Sequence, residues 1–396
     1  MSTRRRDTHR MTHLSCFSGI GGLDLGLAEA GFETIGCLEV DEDARAVLRR
    51  RRPDWPLLEP RDVVEAGRQL KPRDVGLEVG DLSLLGGGPP CQPFSKAAQW
   101  AGPKEGMRDL RASALFGMLD LLDTFLPRAV LIENVAGFFR GARSAKPVID
   151  ERLARTNARH GTSYKLYFWV LDAAHFGVAQ HRRRALAVAF REAPKELVMP
   201  PAPTTPLPLT AWDAVGGLPP PSNPPQLTGD YADLLPCIPE GGNYQYLTAR
   251  GGGSDVELFG YRTRYWSFLL KLARNRPAWT LAASPGPSTG PFHWDNRPLS
   301  AAERCLLQGL PVTWVDGCND RAAMRLTGNA TPPPLAAAMA NHVRIYLGVE
   351  PIPLAPPVRR PAPTADLPLA PLPPRWAARV GPRAAHPGAG LGPAFA

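Results

Sequence analysis

Apolar and polar positions along the 396 residues alternate between two rhythms. Short apolar runs bounded by glycine or polar residues predict strands, and apolar positions at helical spacing predict helices. "THLSCF" (12–17) predicts a first strand, and "GLDLGLAEAG" (22–31) predicts a helix closed by Gly31. "TIGCLEV" (34–40) predicts a second strand. "DEDARAVLRRR" (41–51) predicts a helix whose acidic first turn and basic last turn suit the macrodipole. "LSLLGG" (82–87), "RAVLIENV" (128–135), "YKLYFWVLDA" (164–173) and "RRALAVAF" (183–190) predict further strands, with an amphipathic helix, "ASALFGMLDLLDTFL" (112–126), among them. This alternation predicts an α/β fold with a doubly wound, mostly parallel sheet. Such sheets gather their ligands at the carboxyl ends of the strands.

Composition divides the rest of the chain. Its 45 prolines crowd into 194–225 and 351–396. The first stretch reads as a domain boundary with extended connections. The second, with five arginines and one aspartate, reads as a disordered basic tail. A formal charge of +9 favours a polyanionic partner. The six cysteines, at 16, 37, 91, 237, 305 and 318, include no Cys-x-x-Cys pair and no histidine at zinc-ligand spacing. No metal site is expected, and reduced thiols suit a cytoplasm. The basic opening lacks the apolar stretch of a signal peptide. No apolar run approaches the roughly 18 residues of a membrane span, so no membrane association is expected.

Candidate chemistry falls at the predicted strand ends. "FSGIGG" (17–22) closes the first strand and opens the first helix, where glycines let a ligand approach the backbone. A Gly-rich turn without ligand is the plainer reading. The dinucleotide fingerprint fails, because the spacing from Gly19 reaches Gly21 but meets Asp24 where a third glycine is due. Glu39 ends the second strand, where a carboxylate either accepts from ribose hydroxyls or is a solvated strand end. "GGGPPCQPFS" (86–95) stiffens the backbone around Cys91, as a nucleophilic thiolate requires and an inert buried cysteine does not. Glu133, in "ENV" (133–135), is costly at a buried strand end unless paired or working as an acid. Arg182 and Arg184, in "QHRRR" (180–184), alternate by two and so share a face. They converge on one substrate or form a solvated basic strand entry.

In order, "FSGIGG", Glu39, "GGPPCQPFS", "ENV", "QHRRR" and "RLTGNATPPPLAAAMANHV" (325–343) closely resemble the motifs of the DNA (cytosine-5)-methyltransferases, of the bacterial restriction–modification type. "RPLSAAERCLLQGLP" (297–311) is similar to the segment before the family's last motif. Two departures stand out: Ser15 occupies a position where the family often has aspartate, and Ala330 follows Asn329 where serine is common.

The resemblance implies a Rossmann-like, S-adenosylmethionine-dependent methyltransferase with a second, smaller target-recognition domain. It divides the chain into a basic extension (1–11), a catalytic and cofactor domain (12–193), a target-recognition domain (194–296) and a hinge (297–324). A returning segment (325–350), in which 325–347 is expected to be a helix beside the cofactor, and the tail (351–396) complete it. Cys91 would add to carbon 6 of a cytosine flipped from the duplex. Glu133 would contact ring nitrogen 3 and the exocyclic amine. Arg182 and Arg184 would orient the base and favour the thiolate.

Phe17, Gly19, Gly21, Gly22, Glu39, Val40, Asp62, Pro89 and Asn329 would hold S-adenosylmethionine, with Asp62 on the adenine amine. Gln92, Ser95, Lys96, Arg108 and Arg111, the last three on a mobile lid, would contact DNA. So would Arg262 and Arg264 in the recognition region, which also carries Tyr244 and Gln245. The implied activity is methylation of carbon 5 of cytosine in a specific double-stranded DNA sequence, by a cytoplasmic monomer paired with a restriction endonuclease. A tRNA cytosine methyltransferase of the same family and a catalytically silent DNA-binding relative are the alternatives. The long variable region opposes the first, and intact Cys91, Glu133, Gln180, Arg182 and Arg184 oppose the second.

Overall fold

The computed structural model describes residues 10–90, 113–141, 144–248, 257–260, 265–361, 363–364 and 367–378. Its first strand, β1 (Met11–Cys16), is buried at every position. It leads through the Gly-rich turn into α1 (Gly22–Glu29), β2 (Phe32–Leu38) and α2 (Glu42–Arg51). Gly31, at φ 77°, takes the left-handed conformation just past the first helix that its sequence position predicts. Next come α3 (Val63–Gln69), β3 (Leu84–Gly87), α4 (Ser113–Phe125), β4 (Ala129–Asn134), α5 (Lys146–His160) and β5 (Leu166–Asp172). The short β6 (Gln180–His181) and the long β7 (Arg183–Phe190) follow.

Six strands form one sheet in the order β2-β1-β3-β4-β7-β5. β1 to β4 pair in parallel, and β7 runs antiparallel to both of its neighbours. The direction of β7 follows from its connection. Only residues 173–182 separate it from β5, too few for a helical crossover, so the chain returns antiparallel. Both faces are covered, as a doubly wound sheet requires. On β7, Ala185, Ala187 and Ala189 face a core with α3, α4 and α5, whereas Leu186, Val188 and Phe190 face a core with α1.

The recognition region contributes α6 (Ala211–Val215), several single turns and β8 (Ala278–Trp279), which pairs with β6. Its own apolar cluster surrounds Tyr244, a fully buried ring packed edge-on against Phe259 and Phe268. Tyr244 is therefore a core residue, which removes it from the expected base readers. α7 (Ala301–Leu307) and α8 (Asp320–Asn329) follow, then α9 (Pro333–Tyr346).

The returning segment, expected to be one helix, is two. Pro332 and Pro333 cannot donate to a continuing ladder, so α8 ends at Asn329 and α9 starts afresh with proline in its first turn. α9 lies on α1, and its Leu335, Met339 and Val343 complete the second core. Part of the tail also departs from expectation. Described residues of 351–378 are ordered against the body of the protein and end in α10 (Pro374–Ala377). The physical reason is an anchor: Trp376 is buried in the recognition cluster. Among the described residues, no helix is long and apolar enough to cross a membrane.

Candidate active site

The carboxyl ends of β1 to β4 open into one cavity of about 420 Å³. Phe17, Gly19, Gly22, Glu39, Val40, Pro89, Glu133, Arg182, Arg184 and Asn329 all line it, so ten residues singled out from separate motifs meet in one place. On the β2 side, Glu39 organises the Gly-rich turn. Its carboxylate accepts from the Gly19 N–H at 2.6 Å and from the Asp41 N–H at 2.7 Å. Burial pushes the Glu39 carboxyl up, and the two backbone N–H groups oppose that rise. Phe17 and Gly19 adopt positive φ, 57° and 54°, which bends the turn around the cavity mouth. The N-terminus of α1 faces the same space through Gly22.

On the β4 side, Arg184 Nε lies 3.0 Å from Glu133 Oε1, an ion pair with both side chains largely buried. Gly88 passes so close that an added Cβ would stand 3.1 Å from Glu133 Oε2. Asn134, the next residue of "ENV", donates from Nδ2 to the Pro89 carbonyl at 2.8 Å and so fixes the start of the proline loop. Arg182 lines the cavity but is 1% exposed, and its guanidinium donates to the carbonyls of Gly328, at 2.7 Å, and Leu281. It ties the sheet to the end of α8, rather than reaching outward with Arg184 as their alternation suggested. Gln180, fully buried, donates to the Leu307 carbonyl and to Gln308, and accepts from the Leu281 N–H at 3.0 Å.

Two expected cofactor contacts fall elsewhere. Gly21, the N-cap of α1 at φ 79°, does not line the cavity; an added Cβ would meet the Trp55 ring at 2.8 Å. Its missing side chain makes room for packing. Asp62 also lies outside the lining and caps α3, accepting from the Val64 N–H at 2.7 Å. Cys91, Gln92, Ser95, Lys96, Arg108, Arg111, Arg262 and Arg264 lie outside the described residues.

Among the lining residues not singled out from the sequence, Arg325, Asn134 and Asp24 carry chemistry. Arg325 bridges from α8 to Asp41 and, at 2.7 Å, to Asp43, closing the cavity across α2. Its signal was visible, since it opens the "RLTGNA" run. Asn134 sat inside a recognised motif. Asp24, fully buried, stands 3.6 Å from the equally buried His13. Burial pushes Asp24 up to about 7, opposed by the Ser15 hydroxyl, and pushes His13 down to about 3. Nothing in the local pattern distinguished Asp24 from the acidic first-turn residue of an ordinary helix.

Residues 11–344 match the family described as C-5 cytosine-specific DNA methylase. Among curated relatives, the chain is 31% identical over 385 residues to the Type II methyltransferase M.SacI of Streptomyces achromogenes, covering 86% of this chain and 94% of the relative. It is 32% identical over 349 residues to the Type II methyltransferase M.NgoMIV of Neisseria gonorrhoeae, covering 84% and 97%. Among solved structures, the Entamoeba histolytica methyltransferase EhMeth superposes with a TM-score of 0.57 at 14% identity, over 85% of this chain and 99% of that one. The S. pombe Dnmt2 methyltransferase gives 0.52 at 16% identity, with the same coverage. These two likenesses concern the fold. The family match extends from β1 almost to the end of α9 and takes in both walls of the cavity, and the chain therefore belongs to the C-5 cytosine-specific DNA methylases.

Proposed function

We propose that the protein uses S-adenosylmethionine to methylate cytosine within a specific double-stranded DNA sequence, with Cys91 as nucleophile. The observation that carries this reading is the single cavity. It joins a Gly-rich turn and the Glu39 carboxylate to the Glu133–Arg184 pair beside the proline loop that leads into Cys91.

The donor set fits the cofactor. Each Glu39 oxygen accepts one backbone N–H and keeps acceptor capacity for ribose hydroxyls. Phe17 offers a ring to the adenine, and Gly19, where an added Cβ would meet nothing, leaves room at the turn. When bound, the cofactor would supply an electrophilic methyl group to carbon 5 of the thiolate adduct and would depart as the neutral thioether S-adenosylhomocysteine. Cytosine carbon 5 is a poor nucleophile, and the chain's residues address that weakness. The Cys91 thiolate forms an Sγ–C6 bond, which shifts an electron pair toward carbon 5. Glu133 hydrogen-bonds ring nitrogen 3 and the amine, stabilising that shift, and Arg184 holds Glu133 in place. Loss of the carbon 5 proton to a base then lets the Sγ–C6 bond break, returning the thiolate. The target base has to leave the duplex to reach this pocket, at a cost of a few kcal/mol.

The Type II relatives support a role as the modification partner of a restriction endonuclease that reads the same site, in a bacterial cytoplasm. The recognition region, about 194–296, would choose the site, and the enzyme would act as a monomer. A duplex carrying 5-fluorocytosine tests the chemistry, because fluorine cannot leave as a proton does. The wild-type protein should form a complex with it that survives denaturing electrophoresis, and Cys91→Ser should not. A Cys91→Ser variant that methylates DNA at the wild-type rate would overturn the assignment.

A further inference from the structure

The two chain connections between the sheet and the recognition region converge on one short stretch. On the way in, the Thr204 and Thr205 N–H groups donate to the His175 carbonyl. On the way out, the Ala278 N–H donates to the Ala179 carbonyl and the Leu281 N–H to the Gln180 side chain. Neighbouring contacts hold the same edge, since Arg182 and Arg304 donate to the Leu281 and Ala282 carbonyls.

The described residues of 351–378 supply a further attachment on another side. At the near end, Asn341 on α9 holds both backbone groups of Ile352, donating to its carbonyl at 2.7 Å and accepting from its N–H at 2.8 Å. Ile352 also covers Gly31, where an added Cβ would stand 2.6 Å from its Cδ1. Midway, the Arg360 N–H donates to Asp213 Oδ1 at 2.7 Å, and Trp212 Nε1 donates to the Pro361 carbonyl at 2.9 Å. At the far end, the Ala370 N–H donates to the Pro236 carbonyl at 3.1 Å. Arg375 grips both oxygens of Asp233, at 2.8 and 2.6 Å, and Trp376 Nε1 donates to the same carboxylate at 2.9 Å. The Trp376 ring, 6% exposed, stacks on Tyr231 with centroids 5.5 Å apart.

Proline-rich chain suits such a span. It is extended without internal hydrogen bonds and loses little conformational freedom on docking.

We propose that the described residues of 351–378 act as a positioning strap that holds the recognition region at a set angle to the cavity. Trp376 and Arg375 thereby govern DNA affinity and site selectivity without touching DNA. The proposal rests on the reading that residues 194–296 face DNA. A small error in the angle of a reading surface misplaces the target base, and misplacement of about 1 Å is enough to lower productive binding strongly.

The experiment compares the full chain, Trp376→Ala, Trp376→Phe and a chain ending at Glu350. For each, methylation kinetics are measured on the duplex that the parent methylates and on its single-mismatch variants, with S-adenosylmethionine affinity by calorimetry. Trp376→Ala and the shortened chain should raise KM for DNA by about tenfold or more. Discrimination against mismatches should fall, while kcat at saturating DNA and cofactor affinity stay within about twofold of the parent. Trp376→Phe should recover most of the loss, and a synthetic 351–378 peptide should rescue the shortened chain. Unchanged KM and discrimination would overturn the strap, and so would an equal loss of cofactor affinity, which would indicate general destabilisation. Hydrogen exchange separates this outcome from failure of the DNA reading. If the parent methylates no duplex, the strap still requires faster exchange across 231–247 in the shortened chain, with β1 unaffected. Equal exchange there would defeat it.

Discussion

Gly26 sits where α1 crosses α9, and replacing it with alanine probes how the cavity is closed from behind. A Cβ on Gly26 would stand 2.5 Å from Ala336 Cβ and 2.6 Å from the Ala337 nitrogen, and closer still to the Pro333 carbonyl oxygen. Carbon atoms in contact sit about 3.5–4.0 Å apart, so the helices have to separate by about 1 Å. Backbone on one side and a short alanine on the other leave no flexible side chain to yield. Overpacking of this kind costs about 1–3 kcal/mol, and helix propensity returns less than 1 kcal/mol of it. The shift also reaches the cavity, because Asn329, Ala330 and Thr331 line it immediately before α9 begins. Gly26→Ala should therefore lower the guanidinium unfolding midpoint and weaken S-adenosylmethionine binding together, the latter measured by calorimetry. Gly76→Ala is the control, since an added Cβ there meets nothing and its strain is local, at φ 74°. A Gly26→Ala protein as stable as the parent, with the same cofactor affinity, would refute the tight crossing.

Other consequences concern the ionisable groups. Asp24 binds its proton more tightly folded, near pH 7, than at its ordinary 3.8, so its ionisation removes stability as pH rises through that window. Asp24→Asn should gain on the parent between pH 4 and 7 and hold a constant lead above it, of at most about 4 kcal/mol. The His13 contribution, which rises with pH up to its ordinary 6.5, is common to both proteins, and an equal lead at pH 5 and 8 in urea titrations would contradict the account. Glu39→Gln leaves one of two N–H groups without its carboxylate acceptor, so the cofactor Kd should rise about tenfold; calorimetry showing no change would remove Glu39 from the pocket. Arg184→Met strands the Glu133 carboxylate, at a cost between the ~1 kcal/mol of a surface pair and the ~3–5 kcal/mol of a buried one. Adding Glu133→Gln should restore stability without restoring methylation, and a double variant no more stable than Arg184→Met would show that the pair carries little.

The sheet was legible because each strand is an apolar run cut off by glycine or charge. β4, predicted over 128–135, spans Ala129–Asn134. Six of the strands and three of the helices between them emerge from that punctuation, whereas α3 (Val63–Gln69) and α5 (Lys146–His160) were not predicted. Chemistry at the strand ends was equally legible, since Glu39 and Glu133 are acids where burial makes acids costly. Strand direction was not. The apolar alternation of β7 is the same in either sense, and only the ten-residue return from β5 decides it. Long-range partners were hidden too: Gly21 reads as a ligand-facing glycine until Trp55 is seen to occupy its space. The order in 351–378 depends on one tryptophan finding Tyr231 and Asp233, which composition averages away.

The pairing of α1 with α8 and α9 sets a clock on biosynthesis. Trp314 Nε1 donates to the Ile20 carbonyl across 294 residues of chain, and Arg325 reaches Asp41 across 284. A ribosome adding about 5–20 residues per second needs roughly 15–60 s to bridge that gap. During that interval β1 and the Gly-rich turn can fold while Leu23 and Leu27 still lack the helix that will cover them. Chaperone capture of the nascent chain should concentrate in this window and end as α9 emerges. A ribosome that stalls within the recognition region leaves a product whose cavity lacks the wall formed by Arg325 to Thr331, so partly made chains should not mark DNA. Methylation should begin only with chains that include α9, which covers Leu23 and Leu27.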